Sequence, residues 1–542
     1  MMSLLLPCLV LLPLLVGIGL LIARRSGLSD SLGETIGVAT TFLLLLLSFI
    51  ALMTVGSIST VAKAGTVIVP RIEFAPSWLA LRLPAVLEAN PSGWQLSLGL
   101  DGIGVSMVLL TALVTLAVIV VSRSTISHDR SDFGAWLLFA ASGLMLVFTA
   151  MDMILFYVGF ELALLPLFPL IANWGDKDAG PAAKRFVLYT LAGSIPMILG
   201  LLGIAQLYGN EAGWTVNLPE LSKRAAAAAA DGELLNRQRW IFGFLVLGLG
   251  IKMALMPFHT WLPKTYGSCH ATSGAFLAAV VLKLGLFGFV RLALPMVPQA
   301  SELYGPTVMG SLGAIAIVAG ALMALAQTDI RRLLAYSSLS HVGFVTLGLF
   351  AMNEEGISGG VLQMFNHGIT TAAVFLGASC LIARRGTADL DSGSHGLATR
   401  YPKLALIMVF FLAAGAGVPG LNNFVGEMLT LTAMIARQPV IAAIASLGIV
   451  LGAWYAFRLV RILLFGEASS DRVQENLMST HSGDVGVRER CVFGSLAALC
   501  LFIGVYPQFA INVFKQDTQQ LGQVCQIVEQ SGSALPTVER KP

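Results

Sequence analysis

Six titratable residues stand where the chain is otherwise apolar. They are Glu161 in FYVGFELALLPLF, Lys252 in LGLGIKMALMPFH, Lys283 in AVVLKLGLFGF, His341 in SSLSHVGF, His367 in QMFNHG and Glu427 in NNFVGEMLTL. A charged side chain at the centre of a bilayer costs at least about 2.5–3.5 kcal/mol on insertion scales, so such residues face a bundle interior or a wet cavity. One buried charge alone is as readily a neutralised packing element as a working group. Two acids and two lysines on four separate runs make that bland reading hard to sustain. At an effective dielectric near 20, two unit charges about 4 Å apart interact by roughly 4 kcal/mol, so each partner's protonation is tied to the other's position. An imidazole exchanges protons near neutral pH, and two of them beside buried lysines extend the same chemistry, a proton relay. His259 and Arg458 are accessory positions, and Arg458 lies close enough to a helix end to snorkel. His128, His395 and His481 fall in polar loops and receive no role.

These side chains need apolar elements to hold them. The 542 residues are 56% hydrophobic and 12% charged, with a mean hydropathy of +0.81, against about 25% charged in soluble domains. A bilayer span needs roughly 20 apolar residues, and about fourteen runs meet that criterion. The first covers 3–23, the seventh 239–259, the twelfth 403–436 and the last 490–513. The first run has no basic n-region and no small-residue cleavage site, so it reads as a retained span. Arg24/Arg25, Arg123/Arg130, Lys177/Lys184/Arg185, Lys264, Arg331/Arg332, Arg384/Arg385/Arg400/Lys403 and Arg472/Arg488/Arg490 mark alternate connections. The positive-inside rule puts these in the cytoplasm and both termini outside. The class is therefore an all-α polytopic membrane protein, with about fourteen helices and no soluble domain.

Two runs are interrupted. Pro257 follows Lys252, and Val418-Pro419-Gly420 precedes Glu427. Proline inside a span frees carbonyls that only neighbouring helices or water can satisfy, and broken helices in corresponding halves point to a transport site between inverted repeats. That spacing suggests two inverted five-helix repeats. The expected division is 1–133 for the first three helices with a long outer loop, 134–300 for the first repeat, 301–466 for the second, and 467–542 for the last helix and tail.

Other functions find little support. A formal net charge of +3 gives no reason to expect nucleic acid. The six cysteines form no C-x-x-C pair, so neither an iron–sulfur cluster nor structural zinc is suggested. No Walker loop or dinucleotide glycine fingerprint occurs. No cofactor or metal is expected on this chain.

The runs FYVGFELALLP, RFVLYTLAGS, KMALMPFHTWLP, QTDIRRLLAYSSLSHVGF, QMFNHG and VPGLNNFVGE resemble the antiporter-like subunits of NADH:quinone oxidoreductase (complex I). That family is related to the large subunits of multi-subunit cation/proton antiporters. The similarity covers nearly the whole chain and is densest from about 150 to 466. Glu427 fits the M type, the counterpart of mitochondrial chain 4, where the L and N types and the antiporters typically carry lysine. The resemblance implies a proton-pumping subunit in which Glu161 and Lys252 pair in the first half-channel. It makes Lys283 the central relay, puts His341 and His367 on a connecting axis, and makes Glu427 the terminal group. It also implies L-type and N-type neighbours in a bacterial inner membrane, with flavin, iron–sulfur clusters and quinone on partner subunits. The alternatives are a multi-subunit sodium/proton antiporter or a membrane-bound hydrogenase. The chain departs from the family in FHTWLPKTYGSCHATSGAF, where Lys264, Tyr266 and His270 replace the usual Asp, His and Pro.

Overall fold

The computed structural model describes residues 4–58, 66–76, 80–81, 94–209, 215–391, 396–465 and 483–532; His395, Arg472 and His481 lie outside them. Sixteen helices carry the architecture. They are α1 (Leu5–Arg25), α2 (Asp30–Ser57), α3 (Gly102–Thr125), α4 (Arg130–Thr149), α5 (Met153–Ala172), α6 (Ala179–Gly209), α7 (Leu235–Lys252) and α8 (Ala271–Met296). The series continues with α9 (Pro298–Leu325), α10 (Ile330–Leu349), α11 (Glu354–Arg385), α12 (Pro402–Gly415), α13 (Asn422–Arg437), α14 (Pro439–Leu464), α15 (Val487–Val505) and α16 (Pro507–Gly532). Short antiparallel strands, Ile72–Phe74 against Leu98–Leu100, close the loop before α3.

The count of fourteen spans is not reached by uninterrupted helices. Among the described residues, ten are long and apolar enough to cross a membrane, or eleven if the bent pair Val487–Val505 and Pro507–Gln530 counts as one. Of the remaining expected runs, the seventh ends as a helix at Lys252, and the tenth is the polar-bearing α10. The twelfth splits into α12 and α13. The fourteenth run, expected to reach about 513, stops at Val505, where the chain bends by 73° into α16. Residues read as a tail thus include a helix of 26 residues.

Short polar side chains set where helices begin. Asp101, Asp152, Asp329 and Asn353 each accept a backbone N–H of the helix they precede, at 2.7–2.8 Å, satisfying donors that a helix start leaves free. Close approach between α6 and α7 depends on Gly248, where a Cβ would lie 2.7 Å from the nitrogen of Met197. The bundle is layered. The apolar stretch of α8 is wholly buried, α11 and α4 nearly so, whereas α1, α2 and α14 are mostly exposed. Phe42, Trp454 and Phe457 are 62–70% exposed, an apolar surface suited to lipid. The innermost helices, α8 and α11, carry Lys283 and His367.

The basic connections lie together on one face. Glu34 bridges Arg123 (3.1 Å) and Arg130 (3.0 Å), Arg331 reaches Asp176 (3.1 Å), and Arg384 binds Glu489 (2.9 Å), which also accepts from Ser124. On the opposite face Arg437 bridges Glu302 and Glu529, tying α16 to α9 and α13.

Inside the bundle, Arg291 grips Asp101 with both guanidinium nitrogens, and both residues are nearly fully buried. Removing one member of a buried pair strands the other charge and costs about 3–5 kcal/mol. Arg291→Leu is expected to abolish assembly or sharply lower the melting temperature of the detergent-solubilised protein. Asp101→Asn with Arg291→Met should recover much of that loss, since asparagine still caps α3. A single variant as stable as wild type would show that the pair holds nothing.

Candidate functional site: a buried polar axis

Lys252, Lys283 and Glu427 each sit near an irregularity of the fold, while His341 and His367 lie within continuous helices. Helix α7 ends at Lys252, where the negative end of the helix dipole favours a cation. The chain then breaks, and the indole N–H of Trp261 donates to the carbonyl of Ile251 at 2.9 Å. The ammonium of Lys252, buried, bonds the Glu161 carboxylate at 2.9 Å and lies 3.9 Å from the centre of the Phe160 ring. Glu161 also accepts from the hydroxyl of Ser194 at 2.5 Å, and its side chain remains 24% exposed.

Helix α8 is not regular around Lys283. Two π-turns, Leu277–Val281 and Phe289–Ala293, flank it, and such turns recur at functional sites. The first leaves the carbonyl of Ala278 facing the lysine, which donates to it at 2.8 Å. The same ammonium nitrogen lies 2.7 Å from Nδ1 of His367 on α11. Both side chains are completely or almost completely buried.

From His367 the axis continues across helices. Its ring centre is 5.2 Å from that of His341 on α10. His341 Nδ1 meets Oε1 of Glu427 at 3.0 Å, and Gln363 donates to the same oxygen at 3.3 Å. The start of α13 is clamped to α11 by reciprocal bonds: Asn366 donates to the carbonyl of Asn422 (2.7 Å), and Asn422 to that of Asn366 (3.1 Å). Gly417 and Gly420 turn the chain between α12 and α13 through positive φ values of 70° and 89°. A Cβ on Gly417 would lie 2.8 Å from Oε2 of Glu427. The glycine provides both the turn and the room for the acid.

The six principal residues fall into three bonded pairs: Glu161 with Lys252, which Ser194 joins, Lys283 with His367, and His341 with Glu427. The second and third pairs meet at the two imidazole rings, 5.2 Å apart, without a described hydrogen bond between them. The first two pairs sit on adjoining helices, since a Cβ at Gly285 of α8 would lie 2.8 Å from the carbonyl of Leu249 on α7. The accessory positions stand apart: His259 is half-buried in the turn after the α7 break, and Arg458 donates to the carbonyl of Gln327 at 3.0 Å. Sequence reasoning missed Ser194, Gln363, Tyr455 and the Asp101–Arg291 pair. Arg291 carried a signal, a charge in the same apolar run as Lys283, whereas the neutral polar residues carried none.

Chains of known function match this arrangement. A profile described as NADH:quinone oxidoreductase/Mrp antiporter, TM, matches residues 150–452. The chain belongs to this family. It falls in the M-type branch, being 35% identical over 440 residues to NADH-quinone oxidoreductase subunit M of Rhodobacter capsulatus, which covers 80% of this chain and 83% of the relative. It is 33% identical over 420 residues to NADH-ubiquinone oxidoreductase chain 4 of Chondrus crispus, covering 77% and 81%. A chain of respiratory complex I from Thermus thermophilus superposes with a TM-score of 0.79 at 29% identity, covering 96% of this chain and 99% of that one. A chain of the Mrp complex from Dietzia sp. superposes at 0.78 with 19% identity, which shows the shared fold alone. Of the family departures, Tyr266 is buried edge-on to Trp261 and Phe375. His270 caps α8, accepting from the N–H of Thr272 at 3.3 Å, and Lys264 is exposed.

Proposed function

We propose that this M-type chain is a proton-translocating membrane subunit of an NADH:quinone oxidoreductase, with protons moving along these buried pairs in response to quinone reduction elsewhere. The observation that carries this reading is the Lys283–His367–His341–Glu427 series. Four buried titratable groups on four helices have no structural need to be ionisable. In this reading the chain is part of a translocase and holds no redox group. Flavin, iron–sulfur clusters and quinone belong to partner chains, L-type and N-type subunits among them. The partly exposed Glu161 puts the first acid where a neighbour would pack against it. The face gathering Arg24, Arg123, Arg331 and Arg384 is cytoplasmic, which leaves both termini outside a bacterial inner membrane. The sodium/proton antiporter alternative rests on the shared family profile and on a fold likeness at 19% identity, whereas the relatives above 30% identity are subunits of NADH:quinone oxidoreductases.

Affinity purification from native membranes tests the assignment. Flavin- and iron–sulfur-bearing subunits should accompany the chain in stoichiometric amount. Isolation only with hydrophobic antiporter-type chains, together with sodium-dependent proton exchange, would overturn it.

A further inference from the structure

Beside His341 lies a feature that the axis does not use. A cavity of about 30 Å³ is bounded by Ser337, Ser338, His341, Thr371, Asn423 and Tyr455, among apolar neighbours. A buried water needs at least about 10–15 Å³ of such space and two to four polar partners, and both conditions are met. Asn423 is fully buried, yet neither its amide nitrogen nor its oxygen has a protein partner. It lies four residues before Glu427, on the same side of α13. An asparagine buried without partners is destabilising, and a bound water removes that cost.

A hydroxyl chain runs along the cavity wall. The hydroxyls of Ser337 and Tyr455 are 2.8 Å apart, and Tyr455 reaches Nε2 of His341 at 3.4 Å. Ser337 is partly exposed, whereas His341 is buried. The direction is fixed by the fold. Ser337 and Ser338 lie between His341 and the Asp329 cap of α10, and Thr371 lies between His367 and Arg384. Asp329 and Arg384 stand at the face that carries the basic connections, so the polar wall of the cavity lies on the basic-face side of the two histidines.

We propose that this cavity is a hydrated uptake branch of the second half, delivering protons from the basic face to His341 and Glu427. The proposal rests on the relay reading and adds Tyr455, Ser337 and Asn423 to it. Asn423 holds the water. A proton arriving at Nε2 of His341 is matched by release of the Nδ1 proton to Glu427. The imidazole stays neutral with its tautomer exchanged, and the carboxylate gains one proton. The branch supplies the proton that Glu427 takes up, while its onward movement stays coupled through Lys283 to the Glu161–Lys252 pair, so that uptake needs both.

Two readouts on the intact complex test this. Exchange of the histidine C2 hydrogen with deuterated solvent, followed by mass spectrometry, reads water access at each ring. His341 should exchange faster than His367, a buried neighbour that does not line the cavity. Asn423→Leu, similar in volume, should remove that difference. Proton uptake by inverted vesicles should fall about fivefold in Tyr455→Phe, as for the loss of one hydrogen bond from the transfer path. Ser340→Ala, which removes a bond to the carbonyl of Ile317 away from the cavity, should leave both readouts unchanged. Equal exchange of the two wild-type histidines, or normal uptake in an assembled Tyr455→Phe complex, overturns the branch. If Asn423→Leu fails to assemble, the wild-type comparison and Tyr455→Phe still decide. Normal pumping by Lys252→Met would instead overturn the relay reading while leaving the exchange comparison intact.

Discussion

Lys252→Met is expected to assemble and to lose most coupled proton pumping and quinone reduction, by at least about tenfold or roughly 1.4 kcal/mol of barrier. Methionine is close to lysine in length and keeps the contact with Phe160, so the substitution removes the charge with little change in packing. Glu161 would retain its bond from Ser194 and its partial exposure, which spares the protein an orphaned, fully buried carboxylate. What disappears is the only cation bonded to that acid among the described residues. The measurement is proton uptake and NADH-driven quinone reduction in inverted vesicles. Assembly is checked with an artificial electron acceptor that bypasses quinone. Normal pumping by an assembled variant would remove Lys252 from the relay.

The second large effect is expected at Glu427. Glutamine keeps the shape and can still accept from His341 and Gln363, so Glu427→Gln should fold as wild type does. It cannot take up a proton, and pumping should fall by about tenfold or more, because the last group of the axis no longer titrates. Glu427→Lys should retain more activity than the glutamine variant. Lysine occupies this position in the sister types that the chain resembles, and a titratable group is kept. Equal pumping by wild type and Glu427→Gln would make the acid a packing element.

How much of this was legible depends on the kind of residue. Glu161, Lys252, Lys283 and Glu427 stood out because a charge in an apolar run is costly, and the structure places all four inside the bundle or against it. Which groups touch was not legible in the residues themselves; the Glu161–Lys252 pairing came from the family resemblance, and the structure shows that contact. The bond from Lys283 to the carbonyl of Ala278 goes with a π-turn, and no residue pattern around Ala278 announces one. Asn423, Gln363 and Tyr455 fit an apolar helix without breaking its pattern, so only burial and missing partners reveal them. Asp101 and Asp517 look like ordinary caps or solvated acids in sequence, yet Asp517 bonds the N–H of Gly102 at 2.8 Å and Arg71 at 3.3 Å deep in the structure. Uninterrupted apolar helices among the described residues do not reach the expected count because α7, α10 and the α12–α13 run, which carry Lys252, His341 and Glu427, are broken or polar. Helix α16 escaped notice because its apolar residues form one face rather than a run, a pattern of surface-lying helices.

The central claim is that protons cross through the sealed middle of the axis, and Lys283 tests it most directly. It is fully buried, bonded to Ala278 and His367, and bridged by no described hydrogen bond to the Glu161–Lys252 group. The decisive measurement is proton uptake by inverted vesicles containing normally assembled Lys283→Met complex. The account predicts that uptake collapses along with quinone reduction, while NADH oxidation by the artificial acceptor continues at the wild-type rate. Wild-type uptake in that variant would contradict the account, whatever the other residues of the axis show.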